Sequence, residues 1–406
     1  VRFCFPAAVA ALLAAAPARA EDKPEAKEHK RLEIGAFPLI GGSSDVGFGG
    51  GAIGSIAHFV RGEQQYRWRV ELSGIVTYNP NGGLSHVPYT DVYTKLTIPN
   101  MGRGIRLELR PSYTHEATLR YYGIGNASVR YPSLDRGTYN EYGRTHTTMQ
   151  ALVRLPIVAR LYIRLAQYFT YNSFEFAKGS KLDQDLHSDD PVVRKLLEPA
   201  PSTHAVQLFE YALVYDTRDN ETVPKRGQYH EAWVRYSPGG TSFFPYRYEQ
   251  FETVARGYYT FPGDKITVTA RGVFDLLLDN PPFYELARYE DTYAIGGTKG
   301  VRGVPAQRYY GKVKLFGNLE GRWVLFPFHM FSKDLHFGVA AFFDAGRVWT
   351  DLGSHPELDG TGLGLKWGTG AGVRLLEGST FLVRLDLAWS PDAHPIGGYF
   401  AAGEIF

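Results

Sequence analysis

The sequence predicts an all-β fold, a 16-stranded antiparallel transmembrane β-barrel, and four observations carry the prediction. Long segments alternate charged and apolar residues with a period of two, which puts one set of side chains on each face of a strand. Sixteen such segments follow one another, an even number, as single-chain bacterial barrels have. Several exceed the ~5 to 6 residues of soluble strands and reach the ~9 to 11 that a tilted strand needs to cross a bilayer. The connections alternate short and long, as those at the two ends of a membrane barrel do.

The chain opens with "VRFCFPAAVAALLAAAPARA", in which Arg2 precedes a short apolar run and Ala18-Arg19-Ala20 supplies small residues for cleavage. Residues 1–20 therefore read as a secretory signal peptide cut near Ala20. The single cysteine, Cys4, falls inside it, so the exported chain is expected to have no disulfide or thiol chemistry. Losing Arg2 and Arg19 with no acid brings 44 basic and 42 acidic residues to parity, and nothing favours nucleic acid as a partner. No later apolar run approaches the ~18 residues of a transmembrane helix. The abundance of Tyr, Phe and Gly suits strands, and an exported strand-rich chain suits the outer membrane, with its lipid as a partner. Residues 21–31, "EDKPEAKEHKR", read as a short charged periplasmic tail, and 32–406 as the barrel domain.

In order, the strands are expected at 32–40, 47–60, 66–77, 89–98, 105–115, 139–154, 160–174, 204–215, 228–237, 244–260, 265–278, 312–325, 335–349, 363–375, 380–390 and 398–406. The period is clearest in 312–325, where Lys312, Lys314, Asn318, Glu320 and Arg322 oppose Val313, Leu315, Leu319, Trp323 and Leu325. In 335–349, Leu335, Phe337, Val339, Ala341 and Phe343 face outward, with His336, Gly338, Ala340, Phe342 and Asp344 inward. Lys366, Arg374, Arg384 and Asp386 take the inward face of the next two segments. Connections after even-numbered strands include the short "RGEQQ", "PNMGRG", "FPGD" and "LEGS"; those after odd-numbered strands include the long 116–138, 175–203 and 279–311. With both ends periplasmic, 279–311 is the sixth extracellular connection. Within 175–203, Asp190 ahead of Pro191 and "VVRKLLE" predicts a capped short helix and a small lid. Gly49, Gly51 and Gly54 match G-x-G-x-x-G, but no β-α unit follows. They read as turn glycines and as weakening the first strands.

No G-x-S-x-G or H-E-x-x-H is present and the histidines are scattered, so no enzyme activity and no cofactor are expected. Asp183, Asp185, Asp189 and Asp190 lack EF-hand spacing, and no metal is expected.

"VRG" at Val301, Arg302 and Gly303, "FFDAG" from Phe342 through Asp344 to Gly346, Glu320 in "GNLEGR", "YGIGN" at Tyr122 to Asn126, and "DTRDN" with Pro224 and Gly227 together resemble the BamA/TamA family of outer-membrane assembly barrels, the bacterial surface antigen family. The resemblance implies that the sixth extracellular loop folds into the lumen and that Arg302 pairs with Glu320 and Asp344. The alternation independently places both acids on the inward face of adjacent strands, and a planar guanidinium fork suits two carboxylates. The resemblance makes Asp216, Arg218, Asp219 and Asn220 a periplasmic turn motif. It also makes Gly403 and Phe406 of "GEIF" an insertion signal. Val304 departs from the family, which usually has an aromatic there.

Members that handle client polypeptides carry periplasmic repeats before the barrel, so this chain is expected to be a short, barrel-only member served by a separate periplasmic partner. The implied function is assembly, insertion or translocation of unfolded outer-membrane or secreted polypeptides. The alternative is a passive channel or porin whose motifs only brace a luminal loop. A weak seam is expected between first and last strands, with Ile34 to Phe37 facing Ala401 to Ile405.

Overall fold

Period-two alternation builds a closed wall. In the computed structural model, residues 31–406 are described except 45, 61–65, 81–84, 132–133, 135–137, 199, 222, 290–291, 331–332, 378–380, 393–395 and 403. The expected signal peptide, all but the last residue of the charged tail, and Gly403 lie outside the described residues. The barrel strands are β1 (Arg31–Ser43), β2 (Gly47–Phe59), β3 (Trp68–Tyr78), β4 (Tyr89–Ile98), β5 (Arg106–Arg120), β6 (Glu141–Val158), β7 (Leu161–Phe176) and β8 (Thr203–Asp216). They continue as β9 (Gly227–Pro238), β10 (Arg247–Thr260), β11 (Ile266–Asp279), β12 (Val313–Met330), β13 (Lys333–Trp349), β14 (Lys366–Glu377), β15 (Phe381–Trp389) and β16 (Gly397–Ala402). Each pairs antiparallel with the next, and β16 returns to β1.

Burial follows the alternation. On β12, Lys314, Asn318, Glu320 and Arg322 are buried while Leu315, Leu319 and Trp323 are exposed. On β13, Ala340, Phe342 and Asp344 are buried and Phe343 is exposed. The charged face thus lines the lumen and the apolar face meets lipid. Leu335 is an exception, expected outward but buried, in the part of β13 that pairs beyond a bulge at Val324 and Phe326. Gly49 and Gly51 lie inside β2 rather than in a turn. A Cβ on Gly51 would stand 1.8 Å from the Gly74 carbonyl oxygen of β3, and one on Gly49 1.9 Å from that of Val76. Close backbone approach is what these two positions require.

The long connections cover one end. Between β7 and β8 stand α1 (Lys181–Leu186) and α2 (Pro191–Leu197). Asp190 caps α2, its Oδ1 accepting from the Val192 N–H at 2.8 Å. Leu182, Val193, Leu196 and Leu197 pack with Tyr121, Tyr142, Phe283 and Tyr284. The last two belong to a 3-10 turn, Phe283–Ala287, in the connection between β11 and β12. The two longest connections therefore share one core.

The seam is narrow. Between β1 and β16 the register holds Gly42 opposite Phe400 and Ser43 opposite Tyr399, extended by the Ser44 N–H donating to the Gly398 carbonyl at 3.0 Å. By contrast β1 pairs with β2 over its full 13 residues. The expectation that Ile34 to Phe37 faces Ala401 to Ile405 is corrected: β16 ends at Ala402 rather than 406, and continuing the register by one residue beyond Gly42 and Phe400 would set Gly41 opposite Ala401. Six residues starting at Gly397 cannot reach the first half of β1.

Cysteines at Gly41 and Ala401 should form a disulfide, since directly opposed antiparallel residues have Cα atoms ~4.5 to 5.5 Å apart. Non-reducing electrophoresis reads the crosslink, and the pair Ile34→Cys with Ala401→Cys should give none. Crosslinking of the Ile34 pair alone would show that the register is wrong.

Candidate functional site

Arg302 sits in the connection between β11 and β12, and its side chain reaches the inner wall. Its Nε donates to Asp344 Oδ2 at 2.7 Å, Nη2 to Asp344 Oδ1 at 3.1 Å, and Nη1 to Glu320 Oε2 at 2.8 Å. Nη1 also reaches Asp386 Oδ2 of β15 at 3.3 Å. The Arg302 N–H donates to Asp344 as well, at 3.1 Å. The guanidinium lies 3.4 Å from the centre of the Phe342 ring, a cation–π contact between the loop and the inner face of β13. Arg302 and all three acids are fully buried. Burial alone would depress the arginine pKa, but the carboxylates of Asp344, Glu320 and Asp386 outweigh it and hold the pKa above its ordinary value.

Backbone fit completes the anchor. The Gly303 N–H donates to Tyr399 Oη on β16 at 2.9 Å. Gly303 has φ +91°, and a Cβ there would stand 2.9 Å from the backbone of Trp389. On β14, a Cβ at Gly368 would lie 1.8 Å from the Arg302 carbonyl oxygen. Gly346 likewise admits the loop, since its Cβ would come within 2.5 Å of Ile295. Val301 and Val304 are buried with Ile295, Tyr309, Phe316 and Val348, so Val304 fills an apolar pocket in place of an aromatic.

Sequence reasoning put Asp386 on the inner face but did not bring it to Arg302. It missed Tyr399 and Gly368, and did not bring the inward-facing arginines to these acids. Glu320 Oε1 accepts from Arg322 at 2.8 Å and Arg374 at 3.1 Å, and Asp386 accepts from Arg374 and Arg384 at 2.5 Å each. Inward alternation named every one of these charged residues; their convergence needed the barrel's curvature.

The same connection crosses to the opposite wall. Tyr310 Oη donates to the Arg120 carbonyl at 2.7 Å, Tyr293 Oη to Glu116 at 2.7 Å, and Arg308 Nη1 to Ser128 at 2.8 Å. The "YGIGN" segment meets it through a bridge of Ile124 with Tyr310. Beside it remains a luminal cavity of 520 Å³ lined by Arg110, Glu116, Arg144, His146 and Arg288 among others.

The "DTRDN" residues build the turn between β8 and β9. Arg218 grips Asp216 through Nε at 3.0 Å and Nη2 at 2.8 Å. Asp219 Oδ1 accepts from the N–H of Lys225 at 2.9 Å and of Arg226 at 3.1 Å, and Asn220 Oδ1 from that of Val223 at 2.8 Å. Phe406, expected at the end of a strand, instead packs in the lumen on Tyr258 with Ile405, and Arg271 lies over its ring at 4.8 Å. Among the described residues, no group of three or more His, Cys, Asp or Glu is placed to hold a metal.

An arginine carried by a loop and clamped by acids on the inner face of sixteen strands defines a loop-plugged membrane barrel. The Omp85 superfamily domain matches residues 79–406, and the chain belongs to that superfamily of outer-membrane β-barrels. Among solved structures it is similar to BamA from Haemophilus ducreyi lacking POTRA domains 1-3, with 14% identity and a TM-score of 0.60 over 93% of this chain and 71% of that one. It is also similar to CdiB from Escherichia coli, with 14% identity and a TM-score of 0.56 over 93% of this chain and 64%, less than two thirds, of that one. At such identity the likeness is one of fold. No curated protein shows significant sequence similarity to the chain.

Removing one partner of a well-buried ion pair costs ~3 to 5 kcal/mol, and Arg302 is fully buried. Arg302→Ala should therefore release its loop without unfolding the strands. Limited proteolysis should cut within 279–311 at least tenfold faster, while heat-resistant migration of the barrel persists. Arg302→Lys should be intermediate, keeping charge but losing the fork. Gly368→Ala should raise cleavage as Arg302→Ala does, by steric displacement alone; unchanged cleavage in both would mean that other contacts hold the loop.

Proposed function

We propose that the protein assembles or inserts polypeptides at the outer membrane through the seam between β1 and β16. The observation that carries this reading is the seam itself: among the described residues two pairs join β1 to its last-strand neighbour, against thirteen to β2. An underpaired edge offers N–H and C=O groups to an incoming extended segment. The Omp85 membership and the resemblance to outer-membrane assembly barrels support the same reading. Unfolded outer-membrane or secreted polypeptides are the proposed clients, and a separate periplasmic protein is the proposed means of recruiting them. Expected sidedness places the long connections outside the cell, and the anchored loop with its helical lid then keeps that mouth closed during insertion. This packing also weighs against the passive channel.

The test is a liposome reconstitution with an unfolded eight-stranded barrel as client. Client folding should accelerate at least tenfold with the wild-type chain. The Gly41→Cys, Ala401→Cys protein should lose most of that gain when oxidised and regain it on reduction. Full acceleration with the seam locked would exclude passage through it, and a large steady conductance in planar bilayers without any client effect would favour the channel.

A further inference from the structure

Beside the loop anchor, the inner wall holds an excess of positive charge. Arg302, Arg322, Arg374 and Arg384 interlock with three carboxylates, Glu320, Asp344 and Asp386. All seven side chains are at least nine-tenths buried. A buried charge with no counter-ion is strongly unfavourable, so this group requires a fourth anion. Glu404, from the segment after β16, provides it. Its Oε1 lies 3.5 Å from Arg322 Nε and its Oε2 lies 3.4 Å from Arg374 Nε.

The fit is electrostatic without being complete. Glu404 Oε2, Arg374 Nε and both terminal nitrogens of Arg322 are buried with no hydrogen-bond partner. Glu404 therefore cancels the charge and leaves donors unmet, the condition of a site that another carboxylate can take over. Ile405 and Phe406 accompany it into the lumen and pack on Tyr258. The space holds an acid followed by two apolar side chains.

We infer that Arg322 and Arg374 form a luminal carboxylate site, filled in this state by Glu404 in cis, that takes the acidic side chain of an extended polypeptide once the segment after β16 leaves the lumen. The polypeptide occupant rests on the proposed function; the carboxylate site does not. Both arginines share Glu320 with Arg302, so emptying or filling the site acts on the loop anchor through one carboxylate.

Two measurements on the folded, detergent-solubilised chain test the inference, with heat-resistant migration checked for every variant. In an Ile405→Cys background, Glu404→Gln should speed labelling by a water-soluble maleimide at least tenfold. In anisotropy titrations, a fluorescent peptide of residues 397–406, "GGYFAAGEIF", should bind the Glu404→Gln protein at least tenfold more tightly than wild type. It should also bind that protein at least tenfold more tightly than the same peptide carrying Glu404→Gln does. Arg322→Gln should remove the gain, and so should Arg374→Gln, whereas Arg374→Lys should restore part of it. Equal binding of the two peptides, or unchanged labelling, would overturn the site. Displacement by millimolar acetate would overturn the polypeptide occupant in favour of a small-anion site. Charge-dependent peptide binding without client insertion would keep the site and remove the assembly reading; insertion without such binding would do the reverse.

Discussion

A guanidinium sealed from water dictates its surroundings. Arg302 must find its counter-charge within the protein, and the acids it finds stand on β12, β13 and β15. Three strands from the last third of the barrel are thereby held at fixed distances from one loop. Glycines at 303 and 368 remove Cβ atoms that would keep the backbone away, and Tyr399 extends the attachment to β16. The position of this part of the loop and the spacing of these strands depend on this one buried charge.

Much of the wall was legible in the sequence, because a membrane barrel writes its two environments into alternate residues. The alternation alone places Glu320 and Asp344 on the inner face, with Asp386, Arg374 and Arg384. Their meeting at a single point could not, since period two tells which way a side chain points and says nothing about what lies across a curved lumen. The cap at Asp190 was legible for a similarly local reason: its chemistry involves backbone two residues away.

The sequence misled where an alternative partner existed. The run through Phe406 has the apolar character of a strand, yet Glu404 finds arginines inside the barrel and Ile405 and Phe406 pack inward beside it. The facing positions at the seam were misplaced for the same reason, because the register depends on where β16 starts and stops. The glycines of β2 were misread as turn residues because nothing local reveals that β3 passes within contact distance of their missing side chains.

The core shared by the long connections has a consequence for how the chain reaches its native state. Tyr310 meets Tyr142 across 168 residues of sequence, and Arg308 meets Ser128 across 180. Contacts so distant along the chain carry a heavy loop-closure cost and form only after nearer pairings have brought their ends together. Hairpins can form early and in any order, but the aromatic cap can assemble only when both halves of the wall stand opposite each other. Its completion is a late step of maturation, and resistance of the cap to protease reports that the cylinder beneath it has closed.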